Sequence, residues 1–294
     1  GMGRGSVINI SQRSVNELSG GSAAASNLLH ACFAVGAILA PMVFLLLQRT
    51  ISWKAGAVYV FLCGCCVLLV FSRMRFENDR LSGQDQKNTS MAFVRDPAFV
   101  ILALMMFCYL CAEYSLNGWL VTYIQNKPEL VSSFGVTSEA MNAAVTAYSQ
   151  AMATLLWSVM LVGRLLCAWL SSRVSQKHLI LISSIGAACF FALMLYSSSI
   201  PMVTFSVGAL GLCMAGISPL IYSDAACFTN AWPLATGTIL ATGSLGGILM
   251  PALVGSLAER FGFGGGMTGI LVSFCLLALL SVVNVLYARS RSAA

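Results

Sequence analysis

The stretch FVILALMMFCYLCAEYSLNGWLVTYI, residues 99–124, decides the fold. A bilayer crossing needs about 20 predominantly apolar residues, and this run is long enough to make one as a single helix. It carries one carboxylate, Glu113, with Tyr109 and Asn117 placed four residues to either side. A spacing of four puts all three along one helix face. A carboxylate at that depth is costly in lipid, so it turns toward protein or a water-filled cavity and marks a functional site by default. The face predicts a solute path. The competing reading is that Glu113 only locks helix packing through a hydrogen bond.

The rest of the chain has the same character. Of its 294 residues, 58% are hydrophobic and 9% charged, against about 25% charged in soluble domains. Apolar segments fall at 1–17 (partial), 26–48, 54–72, 97–125, 140–171, 178–198, 201–225, 233–258 and 264–288. They lack the period-2 alternation of membrane β-barrels. The expected fold class is an all-α membrane protein with eight full transmembrane helices and one partial. Residues 73–96 form the one long polar linker. It divides a partial N-terminal bundle, 1–72, from a C-terminal six-helix bundle, 97–294.

The net charge of +6 is scattered among short loops, which argues against nucleic-acid binding. Placing 73–96 in the cytoplasm puts nine basic residues there and four on the outer side. The positive-inside rule favours that orientation, with the C-terminus also cytoplasmic. The eleven cysteines lie in apolar stretches without zinc-ligand spacing, and are read as small packing residues. A phosphate-binding loop and a nucleophile elbow are both missing, and the two histidines, His30 and His178, stand in different segments. Neither an enzyme nor a cofactor is expected.

A shift of 210 residues superposes the first spans on the last. Gly36 meets Gly246, Pro41 meets Pro251, Gly56 meets Gly266 and Cys65 meets Cys275. Aligned glycine and proline are informative because they mark close helix approach and bends. Parallel repeats of six spans are a known transporter architecture. By this repeat the first unit lacks three spans, and the start of the chain is read as cut.

These residues resemble the major facilitator superfamily, and within it the fucose-permease-like branch of sugar:proton symporters. Asn27-Leu28-Leu29-His30-Ala31-Cys32-Phe33-Ala34-Val35-Gly36, followed by Pro41, is similar to that branch's fifth helix. Tyr109-Leu110-Cys111-Ala112-Glu113, with Trp119 and Tyr123, is similar to the seventh. Trp157 and Gly163-Arg164-Leu165-Leu166 are similar to the eighth. The resemblance implies helices four to twelve of a twelve-helix transporter that rocks between inward-open and outward-open states. It also implies proton-driven symport, and with the short loops a bacterial inner membrane. Two departures stand out. The partial first span shows no acid, with Ile8, Asn9 and Gln12 standing where an acidic or amide residue is expected, and Ser172 replaces the acidic partner before Arg173.

The expected function is secondary active transport of a small polar solute, a sugar, coupled to protons. An exporter of drug-like compounds and a transport-incompetent sensor or scaffold are the alternatives. The expected partners are the solute, protons and the bilayer, and the complete protein is expected to be a monomer. The candidate path comprises Glu113, Tyr109 and Asn117, then Asn142, Thr146, Gln150 and Trp157 on span 140–171. Asn27, His30 and Tyr222 are weaker members. Trp119 and Tyr123 fit either the path or an interfacial aromatic belt. His30 fits either the path or plain packing. Arg164 is read as a gate or interhelical lock, with snorkelling as its competing reading. Asp224 is expected to pair with a base or meet water. Gly246, Pro41 and Pro251 are structural candidates for close packing and bending.

Overall fold

The computed structural model describes residues 2–73, 91–128, 130 and 138–293. The expected linker falls mostly on 74–90, outside the described residues. The helices are α1 (Met2–Ser19), α2 (Ala23–Thr50), α3 (Trp53–Arg73), α4 (Pro97–Gln125), α5 (Ser138–Leu170), α6 (Gln176–Tyr196), α7 (Ile200–Met214), α8 (Ile217–Asp224), α9 (Ala226–Ala231) and α10 (Pro233–Ala293), with a 3₁₀ turn at Met91–Arg95 before α4.

Local chemistry sets several of these ends. Asp96 caps α4, its carboxylate accepting from the Ala98 N–H at 2.8 Å, and Pro97 follows at the first helical position. Ser22 caps α2 through the Ala25 N–H. Gly20 and Gly21 turn the chain between α1 and α2 with φ of 63° and 81°, a conformation that favours glycine.

Among the described residues, seven stretches are long and apolar enough to cross a membrane, and the last of them, Leu234–Arg291, runs for 58 residues. That length holds two crossings, separated by Gly262 at φ 75° and ψ 171°, backbone that is nearly closed to residues with a Cβ. Among the described residues this makes eight candidate crossings, all of them after α1. The break between α2 and α3 includes Ser52, and a shift of 210 carries Ser52 onto Gly262. The internal repeat thus keeps its register through the turn.

The later helices form one packed unit around α4, which lies along α10 for much of its length. Phe99, Met105, Met106, Leu116 and Ile124 of α4 are fully enclosed. Gly246 permits the closest part of this contact, because a Cβ there would sit 2.6 Å from the Phe107 carbonyl oxygen. Its repeat partner Gly36 has open space around it. In the earlier part of the chain, α2 packs on α5 and on α3, and α3 is largely exposed. Pro41 and Pro251 both lie inside helices.

Gly246→Val is expected to destabilise the purified protein by about 1–3 kcal/mol through overpacking. Gly208→Ala in α7, where a Cβ meets open space, is expected to be neutral or stabilising. Thermal denaturation of both variants in detergent checks the contrast.

Candidate functional site

The helix α4 carries its three polar residues into different surroundings. Tyr109 is completely enclosed and its hydroxyl donates to the Met214 carbonyl at the end of α7, 3.2 Å away. Glu113 is half-buried and Asn117 is exposed. Eight residues of α-helix rotate by about 80° beyond two whole turns, so a spacing of four drifts gradually from core to surface.

Glu113 lies among groups of α4 and α8, and through Tyr109 and Tyr222 this cluster reaches α5 and α2. Tyr109 lies within electrostatic reach of both Glu113 and Arg164, and Tyr222 of α8 lies within reach of Glu113 and Tyr114. The His30 ring of α2 stacks on Tyr222 with 6.4 Å between ring centroids. One turn further along α2, Phe33 meets Trp157 of α5 at 6.2 Å. The sequence placed Trp157 on the path but had no signal for Phe33.

Arg164 is 3% exposed and its Nη1 donates to the His30 carbonyl at 2.6 Å. This bond crosses from α5 to α2, joining the later helices to the earlier ones. Asn27, one turn before His30, is buried with its amide on the Ala23 carbonyl at 2.8 Å. A second crossing bond lies nearby, where the Ser223 hydroxyl of α8 donates to the Gly21 carbonyl. The approach there is so close that a Cβ on Gly21 would lie 2.5 Å from the Ala226 Cβ. The amide of Gln12 ties α1 to α2 through Ser26 at 2.8 Å.

Ser223 and Asp224 stand on a braced platform. Gln176 donates to Ser223 at 2.8 Å, Lys177 pairs with Asp224, and Asn284 donates to the other Asp224 oxygen at 2.9 Å. Helices α6, α8 and α10 are joined at this point. Asp224 therefore has the basic partner that was one of its two expected readings. Gln176, Lys177 and Asn284 gave no sign of this role in sequence.

The Arg164, Ser223 and Asp224 contacts lie toward the linker end, at which α3 stops and α4 starts. Among the described side chains of α2, every buried one falls between Ala23 and Ala34. Toward the opposite end, Asn142, Thr146 and Gln150 of α5 are exposed. Trp119 and Tyr123 are held within the later helices by hydrogen bonds to the Pro251 and Leu195 carbonyls, at 3.2 and 3.0 Å. Lys127 is buried there, its Nζ donating to the Leu195 carbonyl at 2.8 Å. A cation at the end of α6 complements the helix dipole. Tyr123 and Lys127 also line a cavity of about 560 Å³ with Tyr196 and Phe263.

The architecture has counterparts among solved transporters. The chain matches the E. coli fucose:proton symporter FucP with a TM-score of 0.57 at 14% identity, covering 81% of this chain and 55% of that one. A structure of FucP in the outward conformation, described as a major facilitator superfamily transporter, gives 0.64 at 15% identity over 89% and 68%. The human organic anion transporter MFSD10 gives 0.67 at 15% identity over 93% and 67%. In sequence, the chain is 24% identical over 277 residues to a Bacillus subtilis protein provisionally named the niacin/nicotinamide transporter NiaP, covering 88% of this chain. It spans 62% of that relative's length. No family model matches the chain. The chain has the helical-bundle fold of the major facilitator superfamily transporters. The proteins it resembles are named as transporters, not enzymes.

Asp224→Ala removes the acceptor shared by Lys177 and Asn284. It is expected to lower stability by about 1–3 kcal/mol, read as a fall in melting temperature in detergent.

Proposed function

We propose that the protein is a secondary active transporter that moves a small polar solute by alternating access, with a proton carried on Glu113. One observation carries this reading. The earlier and later helices are pinned together at the linker end, by Arg164 on His30 and Ser223 on Gly21, while polar side chains on α5 stand exposed toward the other end. Rocking about such a contact exposes the space between the bundles to alternate sides.

The two bundles of this proposal are 1–72, as part of one, and 97–294, as the other. The linker end is taken as cytoplasmic from the excess of basic residues there, with the bacterial inner membrane as the location. Arg164 serves as an interbundle lock. Proton coupling is supported by a half-buried carboxyl at mid-span in Glu113. The likeness to a fucose:proton symporter adds to that support. A sugar solute is supported by the amides of Asn117, Asn142 and Gln150, which offer donors and acceptors to hydroxyl groups. Trp157 adds a ring face for an apolar sugar surface.

The test is uptake into proteoliposomes, beginning with fucose and niacin, the solutes in the relatives' names. Glu113→Gln in the full-length protein is expected to abolish proton-driven uptake and to spare solute exchange. Wild-type proton-driven uptake by that variant would remove Glu113 from the coupling mechanism.

A further inference from the structure

The hydrogen-bonding capacity around Arg164 is only partly used. Its Nη1 edge holds the His30 carbonyl, but its buried Nε has no hydrogen-bond partner among the described residues. The His30 Nε2 is likewise buried and unpartnered. Buried donors in folded proteins are almost always satisfied, so each exception calls for an explanation. Here two exceptions belong to side chains already joined through one backbone contact.

A guanidinium presents its donors as a rigid planar fork, suited to a carboxylate, and its two edges can serve two acceptors at once. The Nε2–H tautomer of His30 supplies a further donor from the opposite helix. Trp157 lies seven residues before Arg164 on α5, about 10.5 Å along the helix axis. Phe33 is one turn beyond His30 on α2, so the Phe33–Trp157 pair neighbours the Arg164–His30 contact on the side toward the exposed residues of α5. A charged group next to a flat apolar face is the resulting recognition surface.

We propose that the solute is a small monocarboxylate. Its carboxylate is taken by Arg164 Nε and His30 Nε2, and its body lies against Trp157 and Phe33. This rests on the transporter reading and commits its small polar solute to an acid in place of a neutral sugar. It also assigns Arg164 two tasks, since the residue that meets the anion is the residue that holds α5 to α2. An anion drawing the guanidinium toward itself weakens the His30 bond and so promotes opening at the linker end. The carboxylate enters near Glu113, which lies within reach of Tyr109 of α4 and Tyr222 of α8, while Tyr109 in turn lies within reach of Arg164 of α5, and Arg164 of His30 of α2. A proton carried on Glu113 offsets the charge of the anion beside it. Anion and proton then move together with no net charge transferred.

The carboxylate could sit on an aromatic ring or on a sugar, and the test separates these. Thermal stability of the full-length protein is measured with benzoate, glucuronate, benzamide and L-fucose. Benzoate or glucuronate is expected to raise the melting temperature, and the two neutral compounds are not. Which acid acts identifies the body that carries the group. Arg164→Lys keeps the charge but loses the fork, and is expected to weaken anion binding roughly tenfold or more. His30→Ala leaves the backbone carbonyl, and with it the Arg164 lock, yet is expected to weaken binding similarly. Stabilisation by L-fucose or benzamide with none from either acid overturns the proposal, as does unchanged anion affinity in His30→Ala. Anion binding without flux in liposomes would instead retain this site and defeat the transport reading.

Discussion

A guanidinium enclosed within a membrane helix bundle imposes the main constraint on this structure. Taking it out of water is expensive unless the charge is met by hydrogen bonds, and the partner Arg164 finds is the backbone carbonyl of His30. That acceptor belongs to the other set of helices. The requirement to satisfy one side chain is therefore also a requirement that α2 and α5 stay together at the linker end. The Ser223–Gly21 bond repeats the device with a neutral donor. Both acceptors are main-chain carbonyls, which any residue supplies and which side-chain substitution leaves in place.

The platform behind these contacts follows the same logic. A donor that must hold a second bundle has to be fixed in its own, and Ser223 is fixed by Gln176 while its neighbour Asp224 is fixed by Lys177 and Asn284. Around Phe99, the aromatic rings of Phe93 and Phe228 add apolar packing near the same end, with centroids 4.7 and 5.5 Å away. The opposite end of α4 is held differently, by Tyr123 and Lys127 on the carbonyls that close α6. Those bonds stay within the later helices and do not reach the earlier ones.

Much of the fold was legible because hydropathy alone marks a membrane crossing. The predicted span 97–125 coincides with α4, and 140–171 lies within two residues of α5. The 210-residue shift was found because glycine and proline mark backbone events, and it places Ser52 of the α2–α3 break on Gly262. The site was only partly legible. Helical spacing put Tyr109 and Asn117 on one face, but a 3.6-residue period carries them apart, and one is enclosed while the other is exposed. The pairings His30–Arg164, Phe33–Trp157 and Gly21–Ser223 join residues more than a hundred positions apart in chain. No local period reports which turn of one helix meets which turn of another. Arg164 was legible as a charge at depth that needs a partner; the identity of that partner depended on the packing of α2 against α5.

The most direct measurement of the central claim is a pair of distance distributions from spin labels in the full-length protein reconstituted in lipid. One pair, at Leu18 and Asn230, reports the linker end, and a second, at Thr50 and Asn126, reports the opposite end. All four positions are exposed. The account predicts reciprocal change on adding solute and lowering pH, with the Leu18–Asn230 distance lengthening as Thr50–Asn126 shortens. Two distributions that stay fixed, or that lengthen together, would contradict a rocking closure held by Arg164 and Ser223.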